Sequence, residues 1–236
     1  MSIIDNLLVV LDDGNNKNID EIRVDLPTFS KQIISASLGR IISKGLITKD
    51  NKGYYQIKQT GEDLNTEILS CTNKFNERDN YKNAYFVMFN IPEKERINRD
   101  IMRSYLYNNG FGRLHNTVWI GLNINIKSLN NLIKDLKINN KVLIFKATLS
   151  QEDLNKLIKQ TSWNLQTVID QYLIFIKKAN TFLSSTKKNQ INARYLVYEY
   201  AKICKQDPVL PSQYLPNDYL KLEQIKIYEK IRTYCN

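Results

Sequence analysis

Residues 29–61 read FSKQIISASLGRIISKGLITKDNKGYYQIKQTG, and within them the hydrophobic period changes from that of a helix to that of a strand. Ser30 stands where an N-cap would. Ile34, Leu38 and Ile41, flanked by Ile33 and Ile42, form one apolar stripe at helical spacing. Opposite that stripe lie Gln32, Ala36, Gly39, Arg40 and Ser43, with Ser35 at its edge and Lys31 at the helix start. These groups are small or hydrogen-bonding, and they leave a surface slim enough to enter a major groove. Gly45 supplies the C-terminal stop. The chain then alternates as a strand, turns through Asp50-Asn51-Lys52-Gly53 and alternates back, so that Lys49 and Lys52 flank a hairpin tip.

Two shorter helices precede this run. Ile3, Ile4, Leu7, Leu8 and Leu11 make the first, which stops at Asp12-Asp13-Gly14, and Ile19–Val24 makes the second, ending before Pro27. Serines on a helix are usually a solvated face, so neither half of the pattern would be specific alone. Three helices, a glycine stop and a cationic hairpin in that order predict a winged helix-turn-helix over residues 1–68. The segment resembles the winged helix of many small bacterial repressors, which implies that Lys31, Gln32, Ser35, Ala36 and Arg40 on the third helix face the DNA, Arg40 towards a guanine edge or a phosphate, while Lys49 and Lys52 on the wing touch phosphates. Against this, Arg40 could simply pair with a carboxylate on its own surface.

Charge qualifies the expectation. The chain carries a net +10, but residues 1–70 hold 8 Lys+Arg against 10 Asp+Glu, a balance of −2. Residues 71–150 balance at +7 and residues 151–236 at +5. A DNA-binding role for the first segment therefore rests on geometry, since its bulk charge does not favour a polyanion. No apolar run approaches the eighteen or so residues that span a bilayer. MSIIDNLLVVLDD lacks the cationic start of a signal peptide. Cys71, Cys204 and Cys235 are odd in number and widely spaced, which argues for a reducing interior and against a disulfide framework or structural zinc. A cytoplasmic location is expected, with no membrane partner.

A linker is expected over residues 69–82, after which the periods change again. Strand 84–90, helix 94–108, strands 111–114 and 117–122, helix 126–136 and strand 142–149 give the βαββαβ order of a ferredoxin-like domain over residues 83–150. This segment resembles the small CRISPR-associated spacer-integration subunit in Phe89-Asn90-Ile91-Pro92, in Arg96 and Arg99, and in His115-Asn116-Thr117-Val118-Trp119. That family has an aspartate where this chain has Asn90, and the aspartate is the residue that could hold a divalent metal. A neutral amide is a poor hard-cation ligand, so the fold is expected without the catalyst: no metal, no catalytic residue, no cofactor. Arg96, Arg99 and Arg103 share one helix face, expected as a solvated row paired with Glu95 and Asp100. His115 is expected to make a strand-end hydrogen bond, and Trp119 to be core.

Residues 151–236 read as a helical domain. Trp163, Leu165, Val168, Ile169, Tyr172, Leu173 and Ile176 fit one apolar face, SSTKKNQ is a polar connector, and a last helix is expected near residues 220–234. Between them stand Arg194-Tyr195-Leu196-Val197-Tyr198-Glu199-Tyr200, then Asp207-Pro208 with Leu210-Pro211, and Leu215-Pro216 with Asp218-Tyr219. Taken with Gly110-Phe111-Gly112-Arg113-Leu114, this order resembles the phenylacetic-acid catabolism repressor (PaaX-like) family over nearly the whole chain. Tyr219 stands where that family tends to have tryptophan.

The resemblance implies a homodimeric α+β transcriptional repressor, not an enzyme. It would bind a palindromic operator in double-stranded DNA and be relieved by an acyl-coenzyme A or another small anion. Residues 83–150 and 151–236 would dimerise, and Arg113 and Arg194 are the candidate contacts for such an effector. The alternatives are a metal-dependent nuclease or CRISPR adaptation accessory, and a binding scaffold with no operator.

Overall fold

Helix α1 (Ile3–Leu11) begins at a reciprocal cap, in which the Ser2 side chain accepts from the Asp5 N–H and the Asp5 carboxylate accepts from the Ser2 N–H. Helix α2 (Ile19–Asp25) repeats the device with Asn18 and Glu21, and α3 (Lys31–Ser43) is capped by Ser30. These elements belong to a computed structural model that describes residues 2–73, 83–122, 124, 126–220 and 223–235.

The three helices converge on one core. Leu7, Leu8 and Leu11 from α1, Ile22 from α2, and Ile34, Leu38 and Ile41 from α3 are all buried in it. Each such side chain contributes about 1.5–3 kcal/mol of burial free energy. Ile33 and Ile42 do not join them; they are 50% and 37% exposed. At 100° per residue they lie too far round the helix from the Ile34–Leu38–Ile41 stripe to reach the core. Gly45, at φ +71°, ends α3 by donating to the Ile42 carbonyl while Leu46 donates to that of Ile41. The hairpin follows as β1 (Ile47–Lys49) and β2 (Tyr55–Ile57), paired antiparallel with Lys49 opposite Tyr55.

The return strand is shorter than its alternation predicts. It stops at Ile57, and α4 (Gln59–Ser70) starts immediately. Gly61 makes that turn possible, because a Cβ there would stand 2.5 Å from the Leu46 carbonyl oxygen. Residues 69–73, expected as linker, are helical; residues 74–82 lie outside the described residues.

In the middle segment the elements closely follow the expected bounds: β3 (Asn83–Phe89), α5 (Arg96–Asn108), β4 (Gly112–His115), β5 (Val118–Leu122), α6 (Ile126–Asp135) and β6 (Val142–Thr148). The strands form one antiparallel sheet in the order β4-β5-β3-β6, with Val87 opposite both Trp119 and Ile144. Val87, Phe89 and Trp119 on one sheet face pack with Met102 and Leu106 of α5 and with Leu129 and Ile133 of α6. The other face is apolar and open along the edge strand. Met88, Leu143 and Phe145 are 39%, 69% and 46% exposed there, and Phe145 stacks on Phe86 with ring centroids 5.1 Å apart.

The tail is helical: α7 (Gln151–Gln160), α8 (Leu165–Ser184), α9 (Gln190–Gln206), α10 (Asn217–Leu220) and α11 (Gln224–Arg232). Its residues divide between two compact units. The first comprises Met1–Cys71, Ile174–Lys202 and Glu223–Asn236; the second comprises Thr72–Leu173 and Ile203–Leu222. In the first unit Tyr198 and Ala201 of α9 are buried with Val9 and Ile68, and the Lys202 ammonium donates to the Asp5 carboxylate at 2.6 Å. In the second unit the Asp207 carboxylate is buried and accepts from the hydroxyls of Tyr172 and Tyr219, at 3.0 and 2.6 Å, and from the Val209 N–H at 2.7 Å. The Asp-Pro-x-Leu-Pro run thus ties together α8, the loop after α9 and α10, with Val209 held at φ +50°.

No described helix is long and apolar enough to cross a membrane.

Candidate nucleic-acid interface

Burial of Ile34, Ser37, Leu38 and Ile41 fixes the rotation of α3, and the rotation decides what the helix shows. Lys31, Gln32, Ser35, Ala36 and Arg40 are all exposed, as are Lys49 and Lys52 on the hairpin. Arg40 forms no ion pair among the described residues, whereas Lys31 is shared with Asp20 at 3.0 Å. The Lys31 ammonium donates to Asp20 and holds that carboxyl below its usual value. Lys49 sits over the Tyr55 ring, 5.3 Å from its centroid. The turn is set by Asp50, whose carboxylate accepts the N–H groups of Lys52 and Tyr54, both at 2.9 Å.

A feature outside the sequence reading stiffens the hairpin. The Lys17 N–H donates to the Tyr55 carbonyl at 3.1 Å and the Tyr55 N–H donates to that of Lys17 at 2.8 Å, which adds a one-residue third rung to β2. A single bridging residue leaves no alternation for a sequence reading to detect. The Lys17 ammonium is itself clamped, 2.7 Å from Asp13 and 2.8 Å from Asp25. Its burial is outweighed by those two carboxylates, which raise its pKa.

These carboxylates open onto a cavity of about 550 Å³ in the first unit, lined also by Asp12, Asn189, Ile191 and Arg194. Arg194, one of the two arginines expected to hold an anion, is therefore in a cavity, but an acidic one. The signal in the sequence was the Asp12-Asp13 pair, read there only as a helix stop. The other arginine, Arg113, is exposed on β4 of the second unit, and its backbone pairs with Ser162.

The arginine row of α5 is paired, with Asp100 as expected but not with Glu95. Arg96 and Arg103 share Asp100 at 3.6 and 3.9 Å, while Arg99 takes Glu93 at 2.7 Å. Glu95 pairs with Lys141 instead, because the single 3-10 turn of residues 93–95 takes it out of the α-helical register of α5. Asn90 is exposed at the end of β3, its N–H donating to the Lys141 carbonyl. Among the described residues no group of three or more His, Cys, Asp or Glu side chains could hold a metal ion. Trp119 is core, His115 is exposed, and the Trp163 indole N–H donates to the Ile158 carbonyl.

No curated protein matches the chain. Among solved structures it is similar to the uncharacterized protein Rv0674 from Mycobacterium tuberculosis, at 15% identity and a TM-score of 0.54, over 97% of this chain and 93% of that one. At that identity the likeness concerns the fold alone. Residues 83–158 match the family model of the PaaX protein central Cas2-like domain, which covers the β3–β6 sheet and most of α7. Over that segment the chain is similar to the central domain of PaaX proteins, and its middle domain is Cas2-like.

Proposed function

We propose that this protein is a cytoplasmic, homodimeric transcriptional repressor that binds a palindromic operator. Residues 1–68 are its winged helix-turn-helix. Residues 83–150 form a ferredoxin-like βαββαβ dimerisation domain. Residues 151–236 complete the dimer and the effector site. The observation that carries the reading is the coincidence, in one unit, of a slim exposed face on α3, an Arg40 with no ion pair among the described residues, and a hairpin bearing two exposed lysines. Arg40, Gln32, Ser35 and Ala36 approach base edges, with Lys31 at the helix start, and Lys49 and Lys52 approach phosphates.

Dimerisation draws support from the open apolar sheet face at Met88, Leu143 and Phe145, a patch that a second copy would cover. The resemblance implies relief of repression by a small effector with an anionic group, an acyl-coenzyme A being the family's example. Arg194 and Arg113 are the proposed contacts.

The reading is tested by incubating the full chain with a pool of random-sequence duplexes and sequencing what it retains. An inverted repeat with half-sites about 34 Å apart is the expected consensus. Retention without any enriched sequence would leave only a charge-driven binder. The Cas2-like middle favours one rival, a metal-dependent nuclease. With Asn90 in place of a charged ligand, no cleavage of DNA or RNA is expected in Mg²⁺ or Mn²⁺. Cleavage that disappears in Asn90→Ala would decide for the rival.

A further inference from the structure

The cavity of the first unit has a charge pattern that specifies its ligand more narrowly than the effector reading does, and the inference rests on that reading. Its volume of about 550 Å³ is in the range of small-molecule sites. Three carboxylates line it, those of Asp12, Asp13 and Asp25, against two cations, Lys17 and Arg194. Lys17 is already committed to Asp13 and Asp25 at 2.7 and 2.8 Å. Arg194 makes no ion pair within 4 Å among the described residues, so its guanidinium fork is free for an incoming anionic group. Asp12 has no cation in contact either. Burial raises its pKa more than the Asn65 hydrogen bond and the more distant Arg194 lower it.

An unpaired guanidinium and an under-compensated carboxylate in one cavity favour a molecule bearing both charges. A polyanion would meet three carboxylates, and a simple cation would leave Arg194 facing it. We propose that this cavity binds a zwitterionic amino-carboxylate, an amino acid being the simplest, with its carboxylate on Arg194 and its ammonium on Asp12.

Such a ligand would sit where it can act on the hairpin. An ammonium group on Asp12 adds a cation to a cavity that Asp13 and Asp25 also line, and their hold on Lys17 fixes the residue that rungs onto Tyr55 of β2. Drawing either carboxylate towards the ligand loosens that rung. Occupancy of the cavity is thereby coupled to the position of Lys49 and Lys52.

The test uses the full chain without DNA. Each of the twenty proteinogenic amino acids is titrated by calorimetry, and the best binder is compared with its des-amino and decarboxylated analogues and with phenylacetyl-coenzyme A. One amino acid is expected to bind at one per chain, with each single-charge analogue at least tenfold weaker. Arg194→Gln and Asp12→Asn should each weaken it at least tenfold. Their melting temperatures show whether the fold is intact, and Asp12→Asn, which removes a half-buried charge, is expected to keep it. If no amino acid binds, or if the coenzyme A ester binds and Arg194→Gln abolishes that binding, the zwitterion assignment is wrong. An amino acid that binds both variants like the wild type places the ligand elsewhere and also overturns it. Because no DNA is present, failure here leaves the operator reading standing, and failure to select an operator leaves this result standing.

Discussion

Asp5 shows how one carboxylate can serve two parts of a chain. It caps α1 through the Ser2 N–H and hydroxyl, at 2.9 and 2.8 Å, and takes the Lys202 ammonium at 2.6 Å. Burial pushes its pKa up, but the Lys202 and Ser2 hydrogen bonds more than offset this and leave it below 3.8. Because the folded-state value is depressed, the contribution is fully present above the unfolded value and is lost as pH falls through the folded one. Asp5→Asn is therefore expected to cost about 2 kcal/mol at pH 7. In urea melts the gap from wild type should persist to about pH 4 and close below it, in the acid range set by an ordinary Asp value. A gap that instead closed between pH 8 and 6 would show that another group titrates. Arg40 is the opposite case: an exposed side chain with no ion pair among the described residues contributes little to folding and is free to contact a ligand.

At the scale of elements, α3 separates stability from function through Gly39. A Cβ at Gly39 would meet nothing within 4 Å. Gly39→Ala should raise stability by about 0.5–1 kcal/mol, as expected for a helix interior. If this face enters a groove, the same methyl should weaken operator binding; stronger or equal binding in a titration would take α3 out of the groove. Gly110 behaves differently. It adopts φ +76°, and a Cβ there would stand 2.9 Å from the Asp207 carbonyl oxygen. Gly110→Ala is expected to cost about 2 kcal/mol in a thermal melt, from the left-handed backbone and the displaced loop. Periodicity made much of this legible: the exposed face of α3 and the six elements from β3 to β6 follow from where the apolar residues recur. Other features left no periodic trace. Gly61 in the first turn of α4 reads as a strand end until its closeness to Leu46 is known. Lys17 contributes one rung, and the acidic cavity is assembled from residues 12–25, 189–194 and Cys235, which no local pattern connects.

For the molecule as a whole, the first unit sets a limit on dissection. The sequence alone suggests that residues 70–236 should dimerise without the winged helix. Yet Tyr198 and Ala201 are buried with Val9 and Ile68, and Lys202 pairs with Asp5. A 70–236 fragment loses those partners, so it should bind a hydrophobic dye and melt non-cooperatively, whereas the full chain should scatter light as a dimer. A cooperative, dye-free fragment would show that the tail folds without the first 69 residues. Net charge poses the remaining question, because the proposed DNA-binding segment balances at −2 while residues 71–150 balance at +7. If α3 reads bases, specificity and general affinity must respond to different residues. The decisive measurement titrates wild type, Arg40→Ala and Lys52→Ala on the selected duplex and on a random one at two salt concentrations. Arg40→Ala should lose about 1–3 kcal/mol on the selected duplex and little on the random one. Lys52→Ala should weaken both alike and flatten the salt dependence by about one unit of slope. Wild-type affinity of Arg40→Ala for the selected duplex would contradict the account, because the helix placed in the groove would not be there.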